Sequence, residues 1–130
     1  MSRFVSIRGW IETYFEMSGE FESVVNSYEL KYQKYFLKQE QVNLYQKGWK
    51  FPDQCINGIS YIFYGATIKL EAEEYIKDQI LDMLKLDDGD KDIQGLFYIN
   101  DDEGEYSIMW EIIDSNCRVG NAHKPDLLTH

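Results

Sequence analysis

The sequence predicts an α+β fold: a two-layer sandwich of order β-α-β-β-α-β-β, with two helices packed on one face of a mainly antiparallel sheet. Three patterns predict it. Residues 3–14 alternate with a period of two. The segment from Phe21 to Gln39 carries apolar and aromatic side chains three and four residues apart. The second half repeats the sequence of a helix period followed by two alternating runs around an Asp-Asp-Glu-Gly turn.

Along the first strand, Val5, Ile7, Gly9 and Ile11 alternate with Phe4, Ser6, Arg8, Trp10 and Glu12. The first set suits a core face and the second the opposite face. Ser18 reads as a helix N-cap, with Glu20 and Glu22 favouring the dipole in the first turn. Phe21, Val24, Val25, Tyr28, Tyr32, Tyr35 and Phe36 mark one face of a helix that runs to about Tyr45 and stops before Gly48. This tyrosine stripe is read as core in preference to a binding surface. Lys31, Lys34 and Lys38 give the helix a basic flank.

Gly48 to Pro52 reads as a short strand ended by proline, Asn57-Gly58 as a turn, and Ile59–Lys69 as a long strand. Gly65 in that strand is expected to mark a bulge or a close backbone approach. A second helix over 70–86 has Ala72, Tyr75, Ile76, Ile80, Met83 and Leu84 on its apolar face, with Glu71, Glu73, Glu74, Asp78 and Asp82 placed mostly outward. Gly95–Asn100 and Tyr106–Asp114 form the last hairpin, and Arg118-Val119 is a further candidate for pairing. The expected organisation is one domain over 1–119 and a weakly structured tail over 120–130. The sheet face away from the helices is expected to stay open, with Arg8, Trp10, Tyr98, Met109 and Glu111 on it; the alternative is that the tail or a second copy of the chain covers it.

The chain of 130 residues has a net charge of -10, but this charge is not spread evenly. Residues 70–114 hold 15 of the 23 acids and only 3 of the 13 bases, whereas the remainder is slightly basic. Such a field repels nucleic acid and anionic lipid and attracts basic partners. A solvated surface that merely aids solubility is the plain alternative. No apolar run approaches the roughly 18 residues that span a membrane. Cys55 and Cys117, far apart in sequence and without a CxxC motif, fit free thiols in a reducing cytoplasm.

Catalytic and metal motifs are sparse. The only histidines, His123 and His130, lie in the tail, and no dinucleotide, phosphate-loop or zinc-protease pattern occurs. Asp88, Asp90 and Asp92 have the 1, 3, 5 spacing of a calcium loop, but Ile93 stands where the turn needs glycine and Ile99 where a bidentate Glu belongs. No EF-hand, dedicated metal site or cofactor is therefore expected, with a weak, nonspecific divalent site at these carboxylates left as the alternative. Among the carboxylates, Glu12 and Glu111 are the least implausible acid/base pair for a small hydrolase; solvent-facing strand positions explain them better.

Several segments taken together carry a resemblance: Arg8-Gly9-Trp10-Ile11-Glu12, Gly48-Trp49-Lys50-Phe51-Pro52, Tyr61-Ile62-Phe63-Tyr64-Gly65, Gly95-Leu96-Phe97-Tyr98-Ile99 with its acidic turn, and Met109-Trp110-Glu111-Ile112. The pattern resembles the immunity proteins of bacterial polymorphic toxin and contact-dependent growth inhibition systems, notably the immunity protein 7 family. The resemblance implies a cytoplasmic antitoxin, not an enzyme, that binds and neutralises a cognate toxin domain. If that toxin were a nuclease, an acidic protein could occupy its basic cleft. The expected electrostatic contacts are Asp87, Asp88, Asp90, Asp92, Asp101, Asp102, Glu103 and Glu105, with Trp10, Trp49 and Tyr98 as aromatic anchors, Trp49 fitting the core equally well. The alternative is an acidic nucleic-acid mimic or adaptor that regulates a host protein.

Overall fold

The computed structural model describes residues 3–53, 55, 57–90 and 92–121. It is α+β, with three α-helices and one open, wholly antiparallel sheet of six strands. The strands are β1 (Phe4–Tyr14), β2 (Trp49–Lys50), β3 (Ile59–Lys69), β4 (Gln94–Asp101), β5 (Ser107–Ile113) and β6 (Asn116–Asn121). The helices are α1 (Ser18–Ser27), α2 (Gln39–Gln46) and α3 (Glu73–Leu84). Across the sheet the order is β2-β3-β1-β4-β5-β6, so β1 lies inside the sheet with β3 and β4 on its flanks.

The observed chain order is β-α-α-β-β-α-β-β-β, one helix and one strand more than the sequence predicts. The extra helix arises because the expected long first helix breaks. After α1 the chain passes through 3-10 turns at Tyr28–Leu30 and Gln33–Tyr35, then through Phe36 in the left-handed region at φ 60°, before α2 starts. Tertiary hydrogen bonds support the break. The Tyr75 hydroxyl donates to the Tyr28 carbonyl at 2.6 Å, beside the Lys31 backbone N–H that reaches the same oxygen at 3.1 Å, and so ties the 3-10 turn after α1 to α3. Ser18 lies within α1, and its hydroxyl donates back to the Phe15 carbonyl at 2.6 Å instead of accepting as an N-cap. The extra strand is β6, which includes Arg118 and Val119 and takes in Gly120 and Asn121, two residues assigned to the tail. The rest of that tail, with His123 and His130, lies outside the described residues.

Strand alternation decides what is buried. Val5, Ile7 and Ile11 of β1, Ile62, Tyr64 and Ile68 of β3, Phe97 and Ile99 of β4, and Trp110 and Ile112 of β5 join one core cluster with Phe21, Val25, Val42, Tyr75, Ile76, Ile80 and Met83 of the helices. Burying such side chains stabilises by roughly 1.5–3 kcal/mol each, so this shared core holds sheet and helices together. Gln46 of α2 and the buried Gln79 of α3 exchange two amide hydrogen bonds, both 2.9 Å, which satisfies polar groups inside that core.

The expectation about Gly65 is corrected. Gly65 sits in regular register opposite Arg8, with no bulge between β1 and β3, and a Cβ built on it would meet nothing within 4 Å. Tight backbone approaches fall at other glycines, closest at Gly9, where a Cβ would lie 2.1 Å from the Leu96 carbonyl oxygen and 2.6 Å from the Phe97 Cα. Only glycine lets β1 and β4 come that close.

Candidate functional site

The outward positions of the strands form a lattice set by register. One row crosses all six strands: Lys50, Phe63, Trp10, Leu96, Glu111 and Arg118 are successive cross-strand partners. At roughly 4.8 Å between strands this row is about 24 Å long. The next row runs Gly65, Arg8, Tyr98, Met109 and Gly120. Tyr61 and Glu12 pair in the row on the other side of Trp10, where the Tyr61 hydroxyl donates to the Glu12 carboxylate at 2.8 Å. Phe63 is 51% exposed, and Tyr61 is similarly open. Tyr61 packs edge-on against Trp10 at 5.9 Å between ring centres and stacks with Phe63 at 6.3 Å. The rings therefore brace one another while keeping surface open, as suits rigid anchors for a partner.

A hollow of about 500 Å³ opens in this face. Gly65 contributes backbone but no side chain there, while Trp10, Phe63, Leu96 and Tyr98 supply apolar wall and Arg8, Lys47 and Lys50 supply positive charge.

The expected anchors divide. Trp10 and Tyr98 are half-buried on this outward face. Trp49 is 5% exposed and packs on Tyr64 at 4.8 Å in the core. It is withdrawn as an anchor, because β2 pairing directs its indole inward. Sequence reading did not single out Tyr61, Phe63 and Leu96, which share this face. The alternation of Tyr61 and Phe63 with buried Ile62 and Tyr64, and of Leu96 with buried Phe97, was the available signal.

The expected acidic contacts divide as well. Asp101 is 5% exposed and pairs with Arg3, and it accepts from the Tyr106 backbone N–H at 3.2 Å. Its carboxyl is held below the usual carboxylate range, first by the Arg3 hydrogen bond. This structural duty withdraws it from the contact surface. Asp102, Glu103 and Glu105 are exposed on the same turn, and Glu105 approaches Arg3 to 3.9 Å. Asp88, Asp90 and Asp92 converge at the other end of β4, with ligand oxygens all within 4.8 Å of one another. Repulsion, chiefly from Asp88, pushes the Asp90 carboxyl up. The half-buried Asp87 adjoins them. β4 separates the two acidic groups by eight residues, roughly 23 Å at 3.3 Å per step. They are two patches and not one surface.

The acids of α3 are also more committed than an outward face implies. Tyr106 donates to Glu73 at 2.8 Å, Tyr35 to Asp78 at 2.6 Å, and Tyr28 to Asp82. Burial and the carboxylate partner together raise each phenol, Tyr106 to about 12. Glu12 and Glu111 hold Tyr61 and Arg118, the latter at 3.1 Å. A second apolar patch, invisible in the sequence, lies on the α1–α2 connection, where Phe36 is 92% exposed and Leu30 nearly as open. No helix among the described residues is long and apolar enough to cross a membrane.

No protein-family model, curated protein or solved structure matches this chain.

Proposed function

We propose that the chain is a protein-binding module of the immunity-protein type that its residues resemble, and that it neutralises a bacterial toxin domain by holding it against the outward face of the sheet. The observation that supports this reading best is the row Lys50, Phe63, Trp10, Leu96, Glu111, Arg118, in which large apolar side chains occupy the middle and charges the two ends. That is the anatomy of an interface with an apolar centre and a polar rim. In the two-layer arrangement proposed here, the helices cover one sheet face and leave this one for the partner.

The acidic groups at the two ends of β4 supply the field. They steer a basic toxin, such as a nuclease, towards the face, so association slows as salt rises. Protection of the producing cell places this action in the cytoplasm.

The test is co-expression with the toxin domain encoded immediately upstream. The double variant Trp10→Ala, Phe63→Ala should keep its far-UV circular dichroism yet lose co-purification and growth protection. Wild-type protection by that folded variant would refute the sheet face as the binding surface.

A further inference from the structure

We propose that the hollow over Gly65 is an anion-accepting site that takes an acidic side chain, Glu or Asp, from an apolar segment of the partner protein. The inference rests on the protein-binding reading above and adds the chemistry of the contact.

Three observations carry it. First, the hollow exists because of one residue type at one position: Gly65 faces outward in regular register, with open space where a side chain would stand. Second, Arg8, Lys47 and Lys50 line the hollow and are exposed, and none of them has a carboxylate partner among the described residues. Elsewhere the cations Arg3, Lys85 and Arg118 are paired with Asp101, Asp82 and Glu111. The positive charge beside this cavity is left without a carboxylate partner among the described residues, in a chain of net charge -10. Third, the walls are Trp10, Phe63, Leu96 and Tyr98, which shield an incoming carboxylate from water and so strengthen its attraction to the guanidinium.

Charge complementarity also selects the class of partner. A nucleic-acid strand gains affinity from many phosphates along its length. Here a strand leaving the hollow would meet Glu111 in the row of Trp10 and Leu96, Glu12 in the row beyond it, and the acidic groups at both ends of β4. A single carboxylate flanked by apolar residues meets only the cations and the rings. The outward face therefore suits a protein segment of the form apolar-acidic-apolar.

The probe is a capped pentapeptide, Leu-Glu-Phe-Glu-Leu, compared with its Gln-for-Glu twin and with oligothymidylate. Binding is followed through the amide signal of Gly65 and the indole signal of Trp10 in 15N-labelled protein. The Glu peptide should shift both signals, and its affinity should fall with salt. The Gln twin should bind roughly tenfold or more weakly. Arg8→Glu with Lys50→Glu should abolish the difference between the two peptides. Gly65→Leu, which has room to fold, should block the Glu peptide. Equal binding of the twins, no shift at millimolar Glu peptide, or tighter binding of oligothymidylate would overturn the proposal.

The same variants in the toxin co-expression assay separate the two levels. Unchanged protection by Gly65→Leu and Arg8→Glu, with protection lost in Trp10→Ala, Phe63→Ala, would sink the hollow alone. Protection retained in all of them would sink the sheet-face reading as well.

Discussion

The Tyr28 hydroxyl donates to the Asp82 carboxylate, across 54 positions of sequence, and joins the end of α1 to the last turns of α3. Desolvation alone would raise the Asp82 carboxyl, but the Tyr28 and Lys85 hydrogen bonds outweigh it and hold the group below the usual carboxylate range. Tyr28→Phe keeps the buried ring and removes only the donor. Because Asp82 is partly exposed, water takes up some of the lost bond, and a destabilisation of about 1 kcal/mol is expected. Urea unfolding of Tyr28→Phe, with Tyr28→Phe/Asp82→Asn to complete a double-mutant cycle, measures it. No coupling between the two sites would mean that the bond contributes nothing.

Acid should weaken the fold through Asp101. The depressed folded-state pKa, caused first by Arg3, means that its contribution is present above the unfolded value of about 3.9 and is lost as pH falls through the lower folded value. Glu73 acts in the opposite sense. Burial raises its folded pKa despite the Tyr106 hydrogen bond, so its contribution is full below the unfolded value and declines as pH rises through the folded one. Unfolding midpoints followed from pH 3 to 7 (a range of about 4 pH units) should therefore separate the variants. Asp101→Asn should differ from wild type mainly at the upper end and converge with it in acid. Glu73→Gln should gain on wild type as pH rises.

Glycine positions should show opposite tolerance. Gly9→Ala drives a Cβ into the Leu96 carbonyl and Phe97 backbone, and neither is a flexible side-chain end that can move aside. A loss of roughly 3 kcal/mol is expected. Gly65→Ala meets open space and should change stability by no more than about 0.5 kcal/mol. Paired urea denaturation curves check both, and equal losses would contradict the register of β1 against β4.

The contrast between these glycines also shows what sequence could convey. Period-two alternation gave the burial of Val5, Ile7 and Ile11 and the outward placement of Trp10, because those facts depend only on strand geometry. The β-rich composition after the Asn57-Gly58 turn placed Ile59–Lys69 with its observed ends. The close approach at Gly9 depends on where β4 lies, which no local pattern states. The break near Phe36 opposes local preference, since a bulky residue rarely takes φ near +60°, and it stands with Tyr28 and Tyr35 bonded to α3. Asp101 looked like one more turn carboxylate because its partner Arg3 is 98 positions away. At the candidate site, Trp10 and Tyr98 were legible from alternation. The hollow was not, because it needs Gly65, Arg8 and Lys47 to be brought together by three separate elements of chain.

The two acidic groups should act independently. They stand at opposite ends of β4, roughly 23 Å apart and so beyond the screening length of about 8 Å at physiological ionic strength. Reversal of Asp88, Asp90 and Asp92 to Lys, and separately of Asp102, Glu103 and Glu105 to Lys, should each slow association with a basic toxin domain. Combined, their effects on the logarithm of the on-rate should add, because sites so separated rarely couple. Dissociation should change little, since exposed charges steer encounter more than they hold the complex. Stopped-flow association at several salt concentrations reads all of this directly. If one reversal removed the whole salt dependence and the other none, the toxin would approach from one end of β4, and the steering role of the second group would be wrong. If neither reversal altered the on-rate, the acidity would serve solubility alone, and binding would have to rest on the aromatic row and its hollow.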